Sequence, residues 1–472
     1  MNKKLKILTE NLQKLFDSGT IEKMALKYQF VKRKSKLTEE KFLSLCVFRG
    51  EDLCTSSLVK LCARLNANEE VSITPQALND RFNKDAVVFM RNVFNEMMKL
   101  QNKILAKDEQ LLKTNFNRIT IADSTIFSIP DDHKLEYKGS GTKSGVKIQL
   151  QYDLLTGEFI LCEVMEGSKN DGSYIPRLEE TVQKEDLCLK DLGYYKTDDL
   201  KYIEKNEAYY ISKLKISMNI FKKEEVIECG FKGAVTIRER YSLIDIYELT
   251  APLAEGDTLE LPEVYIGNTN KNRIKTRLIV TKLSEENKRK REIKHKEEIR
   301  RERRKASERN EQWASINVYI TNTPMEVIKT LNVHEVYSLR WQVELMFKIW
   351  KSIFNIDKVK KTKIERFQCF LYGRLISLIL SLSIVFTSRR VIYLNENKEI
   401  SEIKSFGIVQ EYFYVLSKTI FRGKLALINL LLRILKSIKQ SGIKSKRKGS
   451  KTSMLILKDL EITVDEMEKM AS

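Results

Sequence analysis

Between Arg118 and Leu214 the chain changes its hydrophobic period several times, and the order of those changes limits the fold more than any other feature. Runs rich in Ile, Val, Leu, Tyr and Phe cover Arg118 to Phe127, Val146 to Leu155 and Glu158 to Glu166, and Thr156-Gly157 gives the last two a hairpin turn. A helical stretch from Tyr174 to Gln183 follows, then a strand Leu187 to Lys190, a helix Asp198 to Asn206 and a strand Ala208 to Leu214. Hairpin strands pair antiparallel, whereas strands joined through a helix can lie parallel. A chain with both connections in this order reads as α/β, with one mixed sheet.

Helical segments flank that region. Residues 1 to about 105 carry apolar residues at three- and four-residue spacing, as in Leu37 to Cys46, Ser57 to Asn66 and Pro75 to Lys99. Thr74-Pro75 is a helix start, with Thr as cap and Pro in the first turn. A polar break from Asn66 to Ser72 separates this helix from the one before it, the layout of a helix-turn-helix. In that layout Gln76, Asn79, Asp80 and Arg81 face a DNA groove; a purely structural helical domain has the same pattern. Beyond Lys215, residues 216 to 312 interrupt the sheet. Strand-like runs at Ala234 to Thr236, Leu243 to Leu249 and Arg277 to Val280 predict a small β-rich insertion. Glu285 to Asn310 then holds twelve Lys/Arg against seven Glu, with only Ile293, Ile299 and Ala306 to bury. This is either a solvated helix laced with i,i+4 pairs or a surface for a phosphate backbone. Strand Ile316 to Thr321 returns to the sheet, a long helix follows, and the chain from Ile364 is helical, with a basic loop at 442–451. The domains expected are 1–105, 115–215, 216–312, 313–385 and 386–472.

Composition narrows the partners. The balance of 84 Lys+Arg against 64 Asp+Glu gives +20, an excess that suits a polyanion, nucleic acid above all. Seven cysteines, none spaced C-x-x-C, and three histidines (133, 295, 334) argue against a structural zinc site. They read as small buried hydrophobes in a reducing cytosol. The N-terminus shows no secretion signal, and the most apolar segment, Leu375 to Phe386, is short for a bilayer and reads as a core helix. A cytoplasmic protein without a membrane partner is expected.

Asp123 sits where the first strand runs out into Ser-Thr, and Asp191 ends the strand Leu187 to Lys190. Neighbouring strands would set the two carboxylates side by side, where a hard divalent cation is their natural partner. A third carboxylate comes from the stretch VYSLRWQVELMFKIWK. On one continuous helix, Tyr337, Arg340, Trp341, Glu344, Lys348 and Lys351 fall within an arc of about 100°. Val336, Leu339, Val343, Phe347 and Trp350 form the adjoining apolar stripe. A glutamate ringed by cations and aromatics suits a phosphodiester site; a solvated face that gathers charge is the plain alternative.

Tyr337, Arg340, Glu344 and Lys351 reproduce the spacing of the Y-R-E-K signature, and the chain resembles the DDE transposases of the insertion-sequence-four family. IADST around Asp123, KIQLQYDLLTG after it, DLGYYKTDDLKYIEKNEAYYISKLK around Asp191, YITNTP before the signature and LNDRFNK near the N-terminus carry the resemblance from about residue 35 to 385. It implies a ribonuclease-H-like catalytic core with a β-rich insertion, an N-terminal all-helical DNA-binding domain and a helical C-terminal region. Asp123, Asp191 and Glu344 would be the catalytic residues and hold two Mg²⁺ or Mn²⁺ ions. Tyr337, Arg340, Trp341, Lys348, Lys351, Gln76, Asn79 and Arg81 are the expected DNA contacts. The partners implied are inverted-repeat ends, target DNA and a second copy of the chain, through nicking, hairpin formation and strand transfer in the bacterial nucleoid. Some members carry a tryptophan on the strand before the signature; here the position is Val318, with Trp313 five residues earlier. A structure-specific nuclease and an inactive transposase-derived regulator are the competing readings.

Overall fold

The computed structural model describes residues 3–33, 35–104, 112–229, 235–269, 272–302, 312–445 and 451–461. Along the chain come helices α1 (Lys3–Phe16), α2 (Ser18–Lys27), α3 (Glu39–Phe48), α4 (Leu58–Glu69), α5 (Pro75–Arg81) and α6 (Lys84–Ile104). Strands β1 (Arg118–Ser128), β2 (Gly145–Asp153) and β3 (Phe159–Glu166) follow, then α7 (Ile175–Glu179), β4 (Asp186–Lys190), α8 (Thr197–Lys205) and β5 (Tyr209–Lys213). The next stretch gives β6 (Ile220–Cys229), β7 (Val235–Leu243), α9 (Ile246–Thr250), β8 (Thr258–Ile266), β9 (Ile274–Lys282), α10 (Glu285–Glu302) and β10 (Ile316–Thr321). Helices α11 (Val333–Ser338), α12 (Trp341–Ser352), α13 (Ile364–Glu396), α14 (Glu402–Glu411), α15 (Phe413–Thr419), α16 (Lys424–Ser441) and α17 (Ser453–Lys458) end the described chain.

Two compact units form. The first joins Met1–Leu111, Asp123–Lys169 and Gln342–Ser450; the second joins Leu112–Ala122, Asn170–Trp341 and Lys451–Ser472. Within the first unit, N-terminal helices α1 to α6 pack with helices α13 to α16 from the later part of the chain. The reason is α13, which is apolar on nearly every face and buried from Phe367 to Ile392 except at a few positions. A helix with no polar side must be covered all round, and α1, α3, α6, α14 and α16 cover it. By length and composition it could cross a membrane, unlike the shorter segment expected, yet its apolar window is wholly buried here. Its approach to α3 is close: a Cβ on Gly373 would stand 2.3 Å from the Cys46 carbonyl oxygen. One residue on, buried Arg374 donates to the carbonyls of Cys46 (3.2 Å) and Val47 (2.7 Å), placing a cation at the electronegative end of α3. In the same unit β2 and β3 form the expected antiparallel hairpin, turning at Gly157, whose φ of +82° favours glycine.

In the second unit the strand order is β1-β4-β5-β10-β9-β8-β6-β7. β1, β4 and β5 are parallel, and the strands beyond them antiparallel, so the sheet is mixed, as the alternation predicts. Leu200 and Ile203 of α8, Tyr210, Leu278, Val280 and Ile320 share one buried cluster, which pins the helix to the sheet.

Several sequence expectations need correction. β1 covers Arg118–Ser128, one residue more than the strand expected, so Asp123 lies within it rather than where it runs out. The helix expected from Tyr174 to Gln183 is only Ile175–Glu179 after a 3-10 turn, and β-branched Thr181 and Val182 lie beyond it. The strand expected over Leu243 to Leu249 stops at Leu243; Asp245 then accepts from the Tyr247 amide (2.8 Å) and opens α9. Strands β6 and β8 were not legible, because their charged residues mask the alternation. The helix expected from Pro75 to Lys99 is two: Asn83 accepts from the Ala86 amide at 2.9 Å and starts α6 afresh. Of the basic run, α10 is described to Glu302, with Ile293 exposed; Ala306 and residues 446–450 of the C-terminal loop lie outside the described residues.

Candidate active site

In the second unit, β1 and β4 pair in parallel from Arg118 opposite Asp186 to Ile121 opposite Leu189. Each strand reaches an aspartate two residues after that last pair: Asp123 and Asp191. Arg118 and Asp186 are themselves a buried ion pair that fixes this register. Asp191 caps the turn that follows β4, accepting from the Gly193 amide at 3.3 Å. Its carboxylate remains 38% exposed, and Arg340 brings its Nε within 3.6 Å. One residue earlier, buried Lys190 reaches back to buried Asp199 of α8 at 3.0 Å, holding the end of β4 to that helix.

Tyr337 lies deeper than the single-helix reading implied. It is 4% exposed, and its hydroxyl donates to the Lys190 carbonyl at 3.4 Å. Burial, with the Asp191 charge second, raises its pKa, so the phenol stays protonated. Its ring stands 5.1 Å from that of Tyr319, whose hydroxyl meets the His334 Nδ1 at 2.7 Å. Two cations not foreseen from the sequence complete this cluster. Lys213, last residue of β5, holds its ammonium 5.7 Å from the Tyr337 ring centre. Burial lowers its pKa, Arg291 and Arg340 add to that, and Asp191 opposes them. Arg291 of α10 donates to the Ile316 carbonyl (2.9 Å) and to the Asn317 side chain. A lysine closing an otherwise apolar strand was the available signal for Lys213; nothing distinguishes Arg291 within its run of charges.

The signature segment is not one helix. α11 ends at Ser338, Leu339 and Arg340 form a turn, and α12 starts at Trp341. The single arc therefore holds only within α12, where Glu344, Lys348 and Lys351 follow one another at helical spacing beside the stripe of buried Val343, Phe347 and Trp350. Trp341 is 61% exposed, with the Arg340 guanidinium 5.7 Å from its ring centre. In the first unit, Asp123 accepts from the Ser124 amide at 2.8 Å, Glu344 is half-buried, Lys348 is exposed, and Lys351 donates to the Ile126 carbonyl of β1 at 3.2 Å. Among the described residues no three His, Cys, Asp or Glu side chains already stand together as a metal cage. Val318 is a buried core residue, and Trp313 packs edge-on to Tyr247 at 6.5 Å.

Of the N-terminal positions, Gln76 is exposed and donates to Asp80 at 3.0 Å, and Asn79 is half-buried. Arg81 turns inward: its guanidinium lies 4.2 Å over Phe30 and donates to the Leu37 carbonyl at 3.4 Å. It therefore holds the segment before α3 as well as standing at the end of α5.

A family model described as a transposase DDE domain matches residues 114–380. The transposase for insertion sequence element IS1151 of Clostridium perfringens is 43% identical over the full length of both chains. The chain is a DDE transposase of the insertion-sequence-four family. Transposases for IS231E and IS231F of Bacillus thuringiensis are 35% and 36% identical, covering 96% of this transposase and 95% of each relative. A solved structure, a piggyBac transposase synaptic complex with hairpin DNA, aligns at a TM-score of 0.49 and 10% identity, covering 95% of this chain and 87% of that one. Like its relatives, this protein is an enzyme that acts on DNA.

Proposed function

We propose that this transposase cuts and rejoins DNA at the inverted-repeat ends of its insertion sequence, using a ribonuclease-H-like core with Asp123, Asp191 and Glu344 as metal-holding carboxylates. The observation that carries the reading is the parallel register of β1 on β4, after which both strands reach an aspartate at the same step. The donor set fits Mg²⁺ or Mn²⁺: three hard carboxylate oxygen donors, with no thiolate or imidazole among them. Three carboxylates drawn to binding distance repel one another, so the cage closes only with a cation to offset that charge. When bound, two such ions supply Lewis-acid activation of the attacking oxygen and charge neutralisation at the leaving oxygen.

The chain's own residues do the rest. Arg340, bound to Asp191, steadies that carboxylate and offers its remaining donors to a phosphate. Tyr337 and Lys190 brace the backbone beneath it. Lys348 and Lys351 extend the positive face of α12 along the strand being cut, and exposed Trp341 offers a ring to an unstacked base. Helix α5 reads the end through Gln76 and Asn79, and two copies of the chain pair the two ends. Both joining and hairpin formation use a DNA 3′-hydroxyl where nicking uses water, which is what sets a transposase apart from a nuclease.

Glu344→Gln tests the assignment. It keeps side-chain volume while removing the charge, so nicking of an end-containing duplex in Mg²⁺ should fall by at least about a thousandfold, roughly 4 kcal/mol of barrier. Gel-shift binding to the same duplex should stay within about twofold. Wild-type nicking by this variant would remove Glu344 from the active site.

A further inference from the structure

Between α2 and α3, contacts hold the described residues on either side of the basic segment. Phe30 precedes it and Leu37 closes it, and Arg81 grips both, stacking 4.2 Å over the Phe30 ring and donating to the Leu37 carbonyl. Ser35 donates to that carbonyl too, at 2.7 Å. Phe30 is itself stacked on Phe89 of α6 at 5.0 Å, and Lys32 pairs with Asp85 in the first turn of α6 at 3.0 Å. The loop is thereby tied to the corner between α5 and α6 from both ends. Lys32, Arg33 and Lys36 are exposed on it, and together with Arg81 they line one groove beside the start of α5. Asp80 and Asp85 are the acids of that groove, so its lining keeps a positive excess.

We propose that this loop is a seat for DNA backbone phosphates, made by Lys32, Arg33 and Lys36, and that Arg81 is the positioning residue that fixes it beside α5. The proposal rests on the reading of α5 as a DNA-contacting helix and assigns a separate task to its neighbour. Phosphate contacts set register and affinity without reading sequence, whereas side chains on α5 can discriminate bases. A loop clamped at both ends loses little conformational freedom on binding, which is the advantage of fixing such cations in advance. An arginine suits the clamp because one planar group can stack on a ring and donate to a carbonyl at once, which a lysine cannot.

The test uses the full-length protein and fluorescence anisotropy on an end-containing duplex and a scrambled duplex over a range of NaCl. Each phosphate contact contributes about 0.9 to the slope of log affinity against log salt. Arg33→Ala with Lys36→Ala should therefore flatten that slope by about 2 on both duplexes alike, and weaken both by the same factor. Arg81→Lys keeps the charge but loses the stack; it should flatten the slope partly and speed tryptic cleavage at Arg33 and Lys36. A double variant that keeps a steep wild-type slope overturns the phosphate seat while leaving α5 in place. A wild-type protein that binds both duplexes equally and with no salt slope overturns both. An Arg81→Lys protein with unaltered slope and cleavage overturns the positioning role.

Discussion

Arg340 and Trp341 are adjacent in sequence yet have opposite surroundings: the first is 9% exposed and bound to Asp191, the second 61% exposed. The turn at Leu339–Arg340 creates this difference by re-aiming the chain between α11 and α12. An indole so exposed contributes little to the core, and the Arg340 guanidinium stands 5.7 Å from its ring centre. A hairpin intermediate needs a base beside the cut to leave its stack, and an aromatic ring can recover part of that cost. Trp341→Ala should thus still make the first nick, while hairpin formation falls roughly tenfold or more with the loss of about 1–3 kcal/mol of stacking. A denaturing gel that separates nicked from hairpin product over time decides it. Wild-type rates for both steps would end the idea, and early thermal melting would assign the ring to folding.

At the scale of elements, two helices expected to be continuous are broken, and both breaks sit beside residues proposed to meet DNA. Asn83 separates α5 from α6, leaving α5 as a seven-residue helix capped by Thr74. If α5 reads bases, Gln76→Ala with Asn79→Ala should weaken binding to the element's end by about 1–3 kcal/mol per lost contact and spare random DNA. Equal loss on both DNAs reassigns the helix to phosphate contact, and no loss makes it structural. The packing of α13 on α3 gives an independent check of the first unit. In Gly373→Ala the new methyl meets the Cys46 carbonyl, and overpacking of about 1–3 kcal/mol should exceed the ~1 kcal/mol of helix propensity gained. The urea midpoint should drop; an unchanged or higher midpoint would mean that α3 shifts freely.

For the whole molecule, the three carboxylates proposed as metal ligands come from well-separated parts of the sequence, so a cation bound by them should stabilise the fold as a cross-link of distant segments. At a hundred times its dissociation constant a ligand of the folded state adds about 2.7 kcal/mol. Thermal melting in Mn²⁺ against EDTA should therefore show an upward shift for the wild-type protein that Asp191→Asn largely removes. Equal melting temperatures in the two buffers would overturn the shared metal site.

The sequence by itself determined the α/β class, the mixed sheet, the β2–β3 hairpin, the Thr74 cap and the signature residues, because each rests on local periodicity, turn chemistry or spacing along the chain. It also marked Asp123 and Asp191 through the strands that carry them. Only the tertiary structure decided that Tyr337 is buried, that Arg81 faces inward, that Lys213 and Arg291 join the Asp191 cluster, and that helices from both ends of the chain enclose α13. These outcomes depend on contacts between residues far apart in sequence. Burial and ion pairing at such sites carry free energies larger than the helix propensity that a short window reveals.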